Sequence, residues 1–166
     1  PKRPVHETWP ELDDDALLDV RMADLPLVIE GTLAHRIELL REELRARGLN
    51  FPLHFYLSDE WFTPDGATTI AIPFYLAHPR LEKLEEAHML EVEGGEHEWC
   101  MRILRHEAGH VIDNAYRLRR RSKRREVFGS PSKPYPEFYT PKPTSNCLVL
   151  HPAALYAQSH PEQQLG

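Results

Sequence analysis

Apolar positions along this chain follow two different rhythms. In "GTLAHRIELLREELRARG", residues 31–48, Leu33, Ile37, Leu40 and Leu44 recur at alternating spacings of four and three. Those positions share one face of an α-helix, and Gly48 suits its C-terminal stop. An earlier Asp-rich stretch, "DDDALLDVRMADL", carries Leu17, Leu18, Val20 and Leu25 and predicts a short helix behind an aspartate cap. The rhythm then changes. "FPLHFYL" (51–57) and "ATTIAIPFYL" (67–76) are short apolar runs rich in aromatic and β-branched residues, and both predict strands. Pro73 has no N–H to donate to a ladder, so the second strand should lie at an edge or carry an irregularity. Between them, "SDEWFTPDG" ends in a Pro-Asp-Gly turn signal and reads as a loop.

The helical rhythm returns in "HPRLEKLEEAHMLEVEGG", which begins as a helix and runs into an acidic segment. "EHEWCMRILRHEAGHVIDNAYRLRRR" then predicts one long helix, with Trp99, Met101, Ile103, Leu104, Ala108, Val111, Ile112, Ala115 and Leu118 as its apolar set. Glutamates at its start and arginines at its end both complement the helix dipole. Beyond Arg125 the pattern stops, and Pro131 to Pro143 contains five prolines. Such a segment is extended and loop-like. The last stretch, "LVLHPAALYAQSHPEQQLG", could open one more short helix. We find no internal repeat. The organisation expected is a single domain over 1–166: a helical part at 1–50, strands and the long helix at 51–125, and a Pro-rich segment at 126–166.

Composition narrows the class. The 166 residues, 41% hydrophobic and 28% charged, suit a globular domain with a sizeable core. No apolar run reaches 18 residues, so no transmembrane helix is expected. The segment "PKRPVHETWPELDDD" lacks the apolar stretch of a signal peptide. Two cysteines, Cys100 and Cys147, make neither a disulfide framework nor a four-cysteine zinc site, and a reducing cytoplasm is the expected compartment. A net charge of −6 argues against nucleic acid as a general partner. One local exception is "RLRRRSKRR" (117–125), with seven basic residues. It reads either as a patch for nucleic acid or an acidic partner, or as a solvated helix end paired with the acidic segment around residues 82–98. The second reading agrees with the overall charge.

The chemistry concentrates in "LRHEAGHVIDNAY", residues 104–116. His106 and His110 lie four apart, so on a helix their imidazoles share one face and can reach one ion. Zinc accepts histidine nitrogen and takes about four ligands. Glu107 lies about 100° round the helix from His106. There it stands beside a metal, placed to take a proton from a water and pass it to a leaving amine. Asp113, one turn past His110, suits the role of holding an imidazole. The third protein ligand is open. Glu126 would stand about 24 Å from His110 if the helix ran on unbroken. Glu137, His151, His160 and Glu162 are the candidates beyond it.

With these residues in view, the chain resembles a bacterial family of zinc-binding metallopeptidases within the zincin class. The resemblance rests on "LSDEWFTPDG", "IAIPFYLAHPRL", "MLEVEGGEHEWCMRILRHEAGHVIDNAYRL", "PYPEFYTPKP" and "YAQSHPE", from about residue 50 onward. It implies an α+β, zincin-like domain with a small mixed or antiparallel sheet and a long active-site helix. It implies Zn2+ on His106 and His110, Glu107 as general base, and a peptide or protein as substrate. In such proteins the segment resembling "YAQSHPE" leads into a helix whose acidic residue is the third ligand. This chain stops at Gly166, about where that residue is expected, which leaves His160 and Glu162 as weak candidates within it.

Two functions of different class follow. One is a peptidase that holds its substrate extended along the 67–76 strand. The other is a non-catalytic zincin-like binding module acting on a protein or nucleic-acid partner through the basic run and the Pro-rich segment. Tyr135, Tyr139, Tyr156, His151 and His160 could stabilise an oxyanion, although packing or surface roles are the commoner fate of such residues. Cys100 is expected to be buried rather than to bind metal.

Overall fold

The structure, a computed structural model, describes residues 8–128. Helix α1, Asp14–Leu18, starts where the aspartates predict, with the Asp13 carboxylate accepting from the Ala16 amide at 2.8 Å. Helix α2, Gly31–Ala46, buries Leu33, Ile37, Leu40 and Leu44. It stops at Gly48, whose φ of +71° lets the chain turn left-handed. The amides of Gly48 and Leu49 then bond back to the carbonyls of Arg45 and Leu44, so the free helix end is satisfied.

Strands β1, His54–Ser58, and β2, Thr69–Pro73, pair in parallel, from His54 opposite Thr69 to Ser58 opposite Pro73. The expected mixed or antiparallel pairing is therefore absent between the two strands. The reason lies in the connection. Residues 59–68 must carry the chain back to the start of β2, so they run antiparallel to both strands. A strand has two edges, and β1 occupies one edge of β2. The returning chain meets the other: Phe62 forms an antiparallel bridge with Ala71, whose amide donates to the Phe62 carbonyl at 2.8 Å. The chain then reverses again at Pro64–Ala67, a turn with Gly66 at φ +73°. Pro73 ends β2, and a 3-10 turn over Phe74–Ala77 follows where the sequence suggests more strand.

Helix α3, Pro79–Met89, is capped by His78, whose Nδ1 accepts from the Arg80 amide. Helix α4, His97–Tyr116, is the long helix of the sequence pattern. Its start is held by the buried Arg36, which donates to the carbonyls of Gly94 and Gly95. Its buried face, Cys100, Met101, Leu104, Ala108 and Val111, joins Ile70 and Ile72 of β2 and the apolar face of α2 in one core. Arg105 of α4 and Glu43 of α2 add a two-pronged ion pair across the helix interface.

The sequence predicts that α4 runs on to Arg121. It ends instead at Arg117, a non-glycine residue in the left-handed region at φ 51°. A 3-10 turn over Leu118–Arg120 and a further helix, α5, Ser122–Phe128, follow. The architecture is α+β, with a two-stranded parallel sheet beside a long helix. Among the described residues, no helix is long and apolar enough to cross a membrane.

Candidate metal centre

The middle of α4 brings two imidazoles together. Nε2 of His106 and Nε2 of His110 stand 3.2 Å apart, with ring centroids 4.9 Å apart and planes at 83°. Two nitrogens bound at about 2.0–2.1 Å to one tetrahedral zinc would be about 3.3–3.4 Å apart. The observed separation is thus close to what the ion requires. Glu107 adds a carboxylate oxygen, and the ligand atoms of His106, Glu107 and His110 all lie within 4.8 Å of one another. Both histidines are half-buried, which leaves their outer side open.

Glu107 lies on a different side of the helix, as the helical rotation predicts, and is only 7% exposed. What covers it is the returning loop between β1 and β2. The Thr63 hydroxyl stands 2.8 Å from Glu107 Oε2 and 3.2 Å from the Glu107 backbone carbonyl. Burial pushes the Glu107 carboxyl above its usual value, and the Thr63 hydrogen bond and the neighbouring His106 pull it partly back. A carboxyl raised in this way suits a group that must both take and return a proton.

The loop is fixed at two further points, one on α4 and one in the turn just beyond it. The Asn114 side-chain amide donates to the carbonyls of Pro64 (3.2 Å) and Ala67 (2.8 Å). Arg119 donates to Asp65 at 2.6 Å. Asp113, expected to hold an imidazole, makes contacts with the chain beyond α4. Its carboxylate, 1% exposed, accepts from Arg119 Nε at 2.8 Å and lies 3.9 Å from Arg124 Nη2. These contacts tie the chain beyond α4 back onto the helix. They also draw Arg119 and Arg124 of the basic run toward Asp113 and Asp65. Arg117, Arg120, Arg121 and Lys123 remain exposed.

Because the helix breaks at Arg117, Glu126 does not stand a straight helix's length from His110. Its side chain is nonetheless exposed and stands outside the compact group. Glu137, His151, His160 and Glu162 lie outside the described residues, as do Tyr135, Tyr139, Tyr156 and Cys147. Cys100 is a buried free thiol, and burial pushes its ionisation up. Thr63, Asn114 and Arg119 are the participants that sequence reasoning missed. Nothing in "WFTPDG" marks a threonine that meets a helix 44 residues later. Compared with known protein families, curated proteins and solved structures, the chain matches none.

Proposed function

We propose that this chain is a zinc-dependent peptidase on a zincin-like α+β domain. The observation that carries the reading is the 3.2 Å approach of two like imidazole nitrogens, with a buried carboxylate beside them. Zinc bound there would supply Lewis acidity, polarising a scissile carbonyl and acidifying a water. His106 and His110 would hold the ion, and His160 or Glu162 is the third ligand proposed within the chain. Glu107 takes a proton from the attacking water. The water oxygen bonds to the carbonyl carbon, the C–N bond breaks, and Glu107 returns the proton to the departing amine.

The substrate proposed is an extended segment of peptide or protein. The 67–76 strand expected to receive it has both edges engaged, by β1 and by Phe62 at Ala71. The next edge belongs to the segment around Phe62, and strand addition is proposed there. The compartment proposed is a reducing cytoplasm, where the Cys100 thiol stays free. The binding-module reading loses support because two arginines of its basic run are turned inward onto carboxylates.

The test is metal content, followed by cleavage of a mixed peptide library. We expect about one zinc per chain, lost in His106→Ala. Glu107→Gln should keep the zinc and lose about a hundredfold or more of the hydrolysis. Absence of zinc after loading at neutral pH, or full cleavage by Glu107→Gln, would refute the reading.

A further inference from the structure

A base must be held still to be effective, and a glutamate on a helix has three rotatable bonds between its backbone and its carboxylate. Within the described residues, Thr63 is the side chain that removes this freedom. Its hydroxyl meets Oε2 at 2.8 Å and leaves Oε1 to the site. Thr63 is itself fixed. The Phe62–Ala71 bridge holds the residue before it, and Asn114 holds the carbonyls of Pro64 and Ala67 after it. Those anchors come from β2 and from α4, the elements that also carry the core and the histidines. The position of the hydroxyl is thus set by the same scaffold as the metal group.

We propose that Thr63 is the positioning residue for Glu107, keeping its carboxylate aimed beside the histidine pair before and after proton transfer. This rests on the reading of Glu107 as the base. The second short distance, 3.2 Å from the Thr63 hydroxyl to the Glu107 backbone carbonyl, keeps the hydroxyl against the main chain of the same residue. A hydroxyl has one proton and two lone pairs, and it rotates freely. While Glu107 is ionised, the hydroxyl donates to Oε2. Once Glu107 carries the proton on the oxygen facing the site, Oε2 is the carbonyl oxygen of the acid and still accepts from the hydroxyl. One small side chain can then hold the base in both of its states.

The experiment compares the full chain as wild type, Thr63→Val, Thr63→Ser and Glu107→Gln, each loaded with zinc. The first readout is acetohydroxamate binding by calorimetry. This probe chelates zinc and passes its proton to a carboxylate beside the metal, so it reports the aim of Glu107 without turnover. Zinc content should be equal in all four. Thr63→Val should weaken acetohydroxamate about tenfold or more, in the range lost when a group supporting a metal site is removed. Thr63→Ser, which keeps the hydroxyl, should stay near wild type. With a cleaved peptide as the second readout, Thr63→Val should lower kcat and leave KM unchanged. If Thr63→Val does not fold, Thr63→Ala takes its place.

Wild-type affinity in Thr63→Val, or a loss in Thr63→Ser equal to that in Thr63→Val, would overturn the positioning role. Unchanged acetohydroxamate binding in Glu107→Gln would overturn it too, because Glu107 would then not face the metal. Zinc binding and a Thr63 effect on acetohydroxamate, with no peptide cut by the wild type, would refute the peptidase reading and leave the positioning role supported.

Discussion

Glu107 is a carboxylate removed from water, and its protonation is linked to folding. Burial raises its value in the folded chain above the ordinary 4.5, despite the opposing pull of Thr63 and His106. A carboxyl with a raised folded value takes up a proton on folding, so its contribution to stability is fullest below the unfolded value. That contribution is lost as pH rises through the folded value. Glutamine cannot ionise but can still accept from Thr63. In the metal-free protein, Glu107→Gln should therefore be more stable than wild type at neutral pH. The advantage should shrink as pH falls through the raised folded value and be gone below about 4.5. Urea unfolding of the two proteins across that range measures the difference, with every other carboxyl common to both. His106, Glu107 and His110 were legible in the sequence because a helix alone brings positions i and i+4 together. Thr63 was not, because its partner is brought to it by a second chain reversal that no local pattern announces.

At the scale of elements, the end of α4 shows where a strong local pattern is overruled. "NAYRLRRR" favours continued helix, yet Arg117 takes a left-handed conformation that costs an L-residue about 1–2 kcal/mol. The offset comes from Asp113, which draws in Arg119 and Arg124 and so requires the chain to turn back. Two predictions follow from this pairing of strain and clasp. Arg117→Gly should raise stability by about 0.5–1 kcal/mol, because glycine adopts that conformation without strain but loses more entropy on folding. Asp113→Ala should lower it by about 1.5–3 kcal/mol, because it removes the buried carboxylate that Arg119 and Arg124 share. Both are read from denaturant midpoints. If Asp113→Ala were neutral, the turn at Arg117 would need another cause. The helices were otherwise legible by their apolar spacing, by the cap at Asp13 and by the stop at Gly48. The parallel sense of the sheet was not, since two short strands joined by residues 59–68 look from sequence like a hairpin.

For the whole molecule, the metal site joins parts that fold together. The imidazoles sit on α4, whose other face is the core shared with β2 and α2. Glu107 is covered by the loop that bridges β2, and the loop is pinned by Asn114 near the end of α4 and by Arg119 in the turn just beyond it. The unfolded chain has no such arrangement, so an ion bound at His106 and His110 binds chiefly the folded state and must stabilise it. At a free zinc concentration about a hundredfold above its Kd, the gain is about 2.7 kcal/mol. For a chain of this size, that raises Tm by about 5–10 °C. His110→Ala should remove the shift, because one imidazole is lost and α4 keeps its core face. Magnesium should give no shift, since it prefers oxygen ligands in octahedral geometry and this pair offers nitrogen. Calorimetric melting with each ion distinguishes a designed metal centre from two histidines that share a hydrogen bond. Equal Tm with and without zinc would assign the 3.2 Å contact to the hydrogen bond, whereas a zinc-specific rise that His110→Ala abolishes would assign it to the ion.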